Sequence, residues 1–284
     1  MKAVYIKEFG GSENLEIRDV PDPAKPTGSN VLIRVKAAGL NRADLIQRRG
    51  FYMPPPGYSP NIPGMEFAGE IFEVGDDAKK FNIGDRVFGI TAGEAQAEYL
   101  IVDESHLALI PDNLSFEGAA AVPEVFVTAH DAIITQCALQ PGESLLVHAV
   151  GSGVGLAALQ IGKAKGAKVF GTSRTKGKLD QCELFGLDGG IAVGHDVIFA
   201  EELTGMNAGQ GVDVILDLVG GNYFSENLKA LALRGRMIEV GLTAGRTAEI
   251  DLSMLLFKRA RIIGTVLRGR TTEEKAEAVS AFAR

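Results

Sequence analysis

The sequence predicts an α/β protein: a doubly wound parallel sheet, preceded by a separate strand-rich domain of barrel-like character. Three observations carry that expectation. Residues 144–149 are an apolar run (Ser-Leu-Leu-Val-His-Ala), the glycine-rich stretch 150–155 follows, and a smooth helical stretch leads to a second apolar run at 167–172. From Ser144 onward apolar runs keep alternating with helical patterns, as in βαβ units whose sheet is covered on both faces. Residues 1–110 instead hold short runs of period two, bounded by Gly, Pro, Asn and Asp.

In chain order, the first strands are expected at 3–6, 15–19, 31–37, 67–74 and 98–102, the last closing the series. Residues 74–77 (Val-Gly-Asp-Asp) and 83–87 (Ile-Gly-Asp-Arg-Val) read as turns. Residues 41–49 have helical character, and 50–63 form a loop with five prolines and two tyrosines. Short strands joined in this way read as a partly closed β-barrel. The character changes at Ser115, which resembles an N-cap, and 117–134 is expected to be helical apart from Pro123. Beyond it, strands are expected at 144–148, 167–172, 190–193, 212–218, 236–240 and 260–266. Helices are expected at 153–166, 176–186, 197–205, 222–233 and 271–283.

Composition narrows the function. A 284-residue chain with 46% apolar and 23% charged residues can bury the cores of about two domains. Its net charge of −7 argues against nucleic acid or an anionic membrane as partner. No apolar run has the length of a membrane span, and the alternating N-terminus lacks a signal-peptide core, so a cytoplasmic setting is expected. The two cysteines, Cys137 and Cys182, are far apart and fit a reducing compartment. Four histidines occur (His106, His130, His148, His195), none three or four residues from another. A zinc enzyme, which needs three converging ligands, is therefore not expected.

The glycine-rich turn points to a dinucleotide. Glycines let a backbone approach a pyrophosphate closely, and the helix that starts there aims unpaired N–H groups at it. The fingerprint is imperfect: a strict G-x-G-x-x-G from Gly151 would need glycine at Leu156, and anchoring on Gly155 puts Val150 and Ser152 at the first two positions. Ser152, Gly153, Val154 and Gly155 are the expected pyrophosphate cradle. The second strand then selects the cofactor. An acidic residue about 20 positions after the glycines serves a ribose diol. Here 170–178 (Phe-Gly-Thr-Ser-Arg-Thr-Lys-Gly-Lys) holds no carboxylate. Ser173, Arg174 and Lys178, with Lys176, suit a 2′-phosphate, whereas cations at a helix start without one are disfavoured. NADP(H) is the expected cofactor.

Several motifs together resemble the zinc-independent quinone oxidoreductases of the medium-chain dehydrogenase/reductase superfamily, in the branch that includes the p53-inducible enzymes. They are 38–45 (Ala-Gly-Leu-Asn-Arg-Ala-Asp-Leu), 54–57 (Pro-Pro-Pro-Gly), 63–69 (Pro-Gly-Met-Glu-Phe-Ala-Gly), 122–124, 126–131, 141–144, 148–155, 217–221 and 255–259. The resemblance spans essentially the whole chain. It implies a Rossmann domain at 125–266 and a GroES-like catalytic domain at 1–124, completed by about 267–284. Where zinc-dependent relatives carry metal-binding cysteine and histidine, this chain has Asn41 and Met65. The resemblance places Asn41, Tyr52 and Thr128 around nicotinamide and substrate, and Gly241, Leu242, Leu267 and Arg268 beside the cofactor. Asn41 can also be read as a helix N-cap, Tyr52 as loop packing and Thr128 as a helix-interior residue. Asp44 is expected to orient its neighbours.

The resemblance further implies a homodimer joined near 260–266, and a chain end inside the helix that begins the return to the first domain. The expected activity is NADPH-dependent reduction of a quinone. Two alternatives stand beside it: reduction of activated C=C bonds in enals or enoyl thioesters, and a non-catalytic NADPH-binding protein with a structural or regulatory role.

Overall fold

The computed structural model describes residues 1–284. In order, the chain forms β1 (Lys2–Ile6), β2 (Leu15–Asp19), β3 (Asn30–Ala38), α1 (Arg42–Arg48), β4 (Glu66–Val74), β5 (Arg86–Ile90), β6 (Tyr99–Asp103), β7 (Leu107–Leu109), α2 (Phe116–Ala120) and α3 (Pro123–His130). After one turn of π-helix at Asp131–Gln136 come β8 (Ser144–Val147), α4 (Gly153–Ala164), β9 (Lys168–Ser173), α5 (Lys176–Glu183), β10 (Gly189–Ala192) and α6 (Ala200–Met206). The rest is β11 (Val212–Asp217), α7 (Tyr223–Ala230), β12 (Leu231–Glu239), α8 (Leu252–Lys258), β13 (Arg261–Gly264) and α9 (Thr272–Phe282). Contacts divide the chain into two units: Met1–Val127 with Leu267–Arg284, and Thr128–Val266.

In the first unit a five-stranded antiparallel sheet runs in the order β6-β3-β4-β5-β7, beside a β1-β2 hairpin. Alternation along β3 and β4 sends Val31, Ile33, Phe67 and Ile71 inward against Val87, Leu100 and Val102. The C-terminal helix α9 belongs to this unit: Ala278 and Val279 pack with Ile90, Val127 and Leu267.

In the second unit six parallel strands run β10-β9-β8-β11-β12-β13. Numbered within the unit, that is 3-2-1-4-5-6, so the order reverses between β8 and β11, where such sheets bind ligands beyond their carboxyl ends. Ser144–Val147 is buried throughout, as a strand covered on both faces requires.

The differences from the sequence expectations are local. The strand series does not close at residue 102. Residues 86–90, partly read as a turn, form β5, and β7 follows β6. The turn signal at Gly84-Asp85 is real, but Val87 and Phe88 pair with Leu109 and Ala108 directly after it. The expected helix 117–134 is interrupted: α2 ends at Ala120, α3 starts at Pro123, and π geometry takes over at Asp131. Proline lacks the N–H for an internal helical bond and fits a first-turn position instead. The helix expected to reach residue 233 stops at Ala230, because Leu231 is extended and pairs with Val212. Helix α8 is an addition to the expected elements. Its N-cap is Asp251, whose Oδ1 accepts from the Ser253 N–H at 2.9 Å. Met254 on it packs against the core while Leu252, Leu256 and Phe257 are exposed, so its apolar residues do not sort onto one buried face.

Candidate active site

In the second unit the glycine-rich turn sits at the carboxyl end of β8, the strand at which the order reverses. Ala149 takes a left-handed φ of 48° to leave the strand. Ser152 caps α4, its Oγ accepting from the Gly155 N–H at 3.2 Å. That bond leaves the N–H groups of Gly153 and Val154 at the helix start for a ligand. Gly155 has no space for a side chain: a Cβ would lie 2.6 Å from the carbonyl oxygens of Ala149 and Val150. This is close helix–strand packing, the role of the fingerprint's last glycine.

The neighbouring β9 ends in Ser173, which is buried, with Arg174 and Lys178 exposed just beyond. Lys178 passes close to Gly151, its Cβ 3.3 Å from where a Gly151 Cβ would stand. Lys176, also exposed, pairs with Asp180 at 2.5 Å one helical turn on. Gly241 and Leu242 follow β12 at the same end of the sheet, with Leu242 exposed.

Beneath these loops lies a polar network that the sequence did not disclose. Asp217 ends β11 fully buried, its Oδ1 accepting from the N–H groups of Val219 and Gly220 at 2.7 and 2.9 Å. Its Oδ2 accepts from Asn227 Nδ2 at 2.8 Å, and Asn227 Oδ1 lies 2.6 Å from His148 Nε2. Because that oxygen only accepts, His148 carries its proton on Nε2, and its Nδ1 accepts from the Thr172 hydroxyl at 2.8 Å. Burial holds His148 below its usual pKa, in the neutral form. It is a packed structural histidine, edge-on to Phe199 and Tyr223.

Glu239, the register partner of Asp217 on β12, has both carboxyl oxygens buried with no donor from another residue. Burial and the Asp217 charge push it up to about 8. A group whose folded pKa exceeds its unfolded value of 4.5 favours the folded state fully below the unfolded pKa and loses that advantage as pH rises toward the folded one. Its contribution to stability therefore declines between about pH 4.5 and 8, by at most ~1.4 kcal/mol per pH unit. Glu239→Gln, which is neutral throughout, is expected to match the parent at pH 5 and exceed it in denaturant midpoint at pH 8. A constant difference across that range would refute the assignment.

In the first unit Asn41 is the N-cap of α1 and forms a capping box with Asp44. The Asn41 N–H donates to Asp44 Oδ2 at 2.7 Å, and Asp44 Oδ1 accepts from the Gly64 N–H at 3.0 Å. Asp44 is buried and ties the start of α1 to the loop entering β4, the orienting role expected of it. Glu66, which opens β4, accepts from Asn41 Nδ2 at 2.7 Å through Oε1 and from the Glu124 N–H at 2.9 Å through Oε2. Burial and the Asp44 charge push Glu66 up to about 7. Burial, with the Glu66 and Asp44 charges, pushes Glu124 up to about 8.

Tyr52 lies in the loop with a left-handed φ of 54° and an exposed ring. Arg268 is not an open cofactor ligand. Its guanidinium is buried and donates to the carbonyls of Ala92 and Tyr52 at 2.7 and 2.6 Å and to Gln47 Oε1 at 2.5 Å. Leu267 is likewise buried, in the core with α9. Both side chains are committed within the first unit, so only backbone is left there for a ligand. Thr128 falls in the interior of α3, the helix-interior reading, rather than near its start. The contact of Asn41 with Glu66 spans 25 residues, and no local pattern announces it.

No group of three or more His, Cys, Asp or Glu side chains is placed to hold a metal ion. No helix is long and apolar enough to cross a membrane. The sheet of order 3-2-1-4-5-6 and the antiparallel strand-rich unit are the Rossmann and GroES-like folds expected of a medium-chain dehydrogenase/reductase. Two family profiles match, the alcohol dehydrogenase GroES-like domain over residues 27–112 and the zinc-binding dehydrogenase over 153–284. Human quinone oxidoreductase is 35% identical over 279 residues, covering 96% of this chain and 82% of that protein. Escherichia coli quinone oxidoreductase, solved in complex with NADPH, superposes with a TM-score of 0.85 at 30% identity, over 99% of this chain and 86% of that one. The CurK enoyl reductase superposes with a TM-score of 0.84 at 26% identity, over 99% and 85%. The chain belongs to the quinone oxidoreductase family of that superfamily.

Proposed function

We propose that the chain is an NADPH-dependent reductase that works without zinc and delivers reducing equivalents to a quinone. The observation that carries the cofactor reading is the end of β9. It offers Ser173, Arg174 and Lys178 and no carboxylate, a donor set for a 2′-phosphate rather than for a free ribose diol. The Gly153 and Val154 N–H groups at the start of α4 would hold the pyrophosphate, and Gly241 and Leu242 would line the cofactor farther along the sheet end. When bound, the cofactor supplies a hydride.

The substrate is assigned to Asn41 and Tyr52, with Thr128 toward the nicotinamide. Asn41 offers an amide N–H to an oxygen that gains negative charge. Tyr52 offers an aromatic face to a flat acceptor and a phenolic proton. Asn41 and Met65 stand where zinc-dependent relatives place ligands, and neither suits zinc here. The unpaired outer edge of β13 supports a homodimer, and the two buried free thiols fit a reducing, cytoplasmic compartment. The likeness to an enoyl reductase supports a second reading, reduction of an activated C=C bond on the same scaffold.

The test is a cofactor-fluorescence titration followed by turnover. Replacing both Arg174 and Lys178 by Ala is expected to weaken NADPH binding at least ~10-fold, since two charge-assisted contacts are lost, and to leave NADH binding unchanged. Equal losses for both cofactors would end the 2′-phosphate assignment. Faster NADPH oxidation with 1,4-naphthoquinone than with a 2-enal is expected of the parent, and the reverse order would favour the second reading.

A further inference from the structure

We infer that Glu66 is a positioning residue: it turns the Asn41 amide so that one Nδ2 proton faces the substrate oxygen. The inference rests on the reading of Asn41 as a substrate contact and deepens it. An asparagine amide has a donor end and an acceptor end, and its two orientations differ only in which group faces which partner. At Asn41 the choice is made by two contacts. The capping box turns the side-chain oxygen toward the start of α1, where Asp44 holds the backbone. The Glu66 Oε1 accepts one Nδ2 proton at 2.7 Å, while its Oε2 is taken by the Glu124 N–H. The second Nδ2 proton is the part of the amide left for a ligand.

The position of Glu66 is built rather than incidental. Its Oε2 is held by the Glu124 N–H in the first turn of α3, so the carboxylate spans the starts of two helices. Gly39 leaves the space for it: a Cβ there would collide with Glu66 Oε1. The Gly39 N–H also donates to the Glu66 carbonyl at 3.2 Å. The charges around the pair are Asp44 from α1, Glu124 from α3, Arg268 and, from α9, Lys275, which faces Glu124. Without Glu66 the amide could present its oxygen to the acceptor, and that oxygen would repel a developing negative charge. Glu66 touches no reacting atom and acts through Asn41.

A double-mutant cycle separates this role from simple packing. Glu66→Gln keeps the volume but cannot accept from both the Asn41 amide and the Glu124 N–H. It is expected to lower kcat about 10-fold with 1,4-naphthoquinone and leave the KM for NADPH unchanged. In an Asn41→Ala background the same change is expected to alter kcat less than 2-fold. Independent effects that multiply would overturn the inference. If Asn41→Ala leaves kcat at the parental value, the substrate reading of Asn41 itself falls, a different and separately visible failure.

Should Glu66→Gln melt too early to assay, the exchanged pair Asn41→Asp with Glu66→Gln provides the answer. There the introduced amide can donate to the introduced carboxylate while still accepting from the Glu124 N–H, so the bridge re-forms with polarity reversed. Parental melting with kcat as low as in Asn41→Ala is expected. Parental kcat in the exchanged pair would show that only the bridge matters, and would overturn the inference.

Discussion

Arg268→Met is expected to cost the first unit about 3–5 kcal/mol, seen as a fall in melting temperature of roughly 10 °C. The guanidinium is 3% exposed and uses its fork on three acceptors: the Ala92 carbonyl, the Tyr52 carbonyl and Gln47 Oε1. Methionine fills the volume and meets none of them, so buried acceptors lose their donor, the costly half of removing a hydrogen bond. Two carboxylates lose a cation as well. Arg268 lowers the pKa of both Asp44 and Glu124, which burial already raises. The Tyr52 carbonyl belongs to a loop with no regular structure over residues 50–63, so that loop loses its tie to the segment before α9. Lysine at 268 is expected to restore little, because a single ammonium cannot reproduce the planar fork. Chemical denaturation of both variants checks this. A loss below about 1 kcal/mol for Arg268→Met would mean that the guanidinium's bonds are replaced by water.

That residue also shows where sequence reasoning stops. Arg268 follows the last parallel strand, a position that suggests a cofactor neighbour. Which way a long side chain turns is decided by acceptors 176 to 221 residues away in sequence, and no local pattern reports them. The β8–turn–α4–β9 unit was legible because each part has a local cause: buried strands leave continuous apolar runs, and the turn needs glycine where a Cβ would meet backbone. Ser152 was legible only as a member of that glycine-rich turn; its capping of α4 emerges with the structure. The short β7 and α8 were not legible, since three paired residues or a seven-residue helix with apolar side chains both on the core and in solvent leave no period to read. In the first unit, Asn41 could be read as a helix N-cap and Asp44 as a residue that orients its neighbours, while the substrate role of Asn41 came from the family resemblance alone. Glu66 lay within a motif, but its contact with Asn41 exists only once β4 is laid beside α1. The Asp217–Glu239 pair is of the same kind: adjacent parallel strands bring two carboxyls into register, and the sequence separation of 22 hides it.

The glycine whose role was most legible carries the largest functional expectation. Gly155→Ala is expected to weaken NADPH binding at least ~100-fold, about 2.7 kcal/mol. The added methyl would sit 2.6 Å from the carbonyl oxygens of Ala149 and Val150, and 2.7 Å from Val150 Cα. All three are backbone atoms of the turn, so no side chain can swing aside, and the strain falls on the turn or on the start of α4. A shift of either moves the Gly153 and Val154 N–H groups off the line along which they would meet a pyrophosphate in the proposed cradle, and hydrogen bonds weaken steeply with misalignment. It also stretches the cap from the Gly155 N–H to Ser152 Oγ, already 3.2 Å long. The same crowding is expected to lower stability by about 1–3 kcal/mol. Affinity must therefore be read on protein shown to be folded at the assay temperature. The control is Gly177→Ala on α5, where nothing lies within 4 Å of an added Cβ. That variant is expected to bind NADPH as the parent does. If Gly155→Ala bound within threefold of the parent while folded, the turn could not be the pyrophosphate cradle, and the cofactor would have to lie elsewhere on the sheet end.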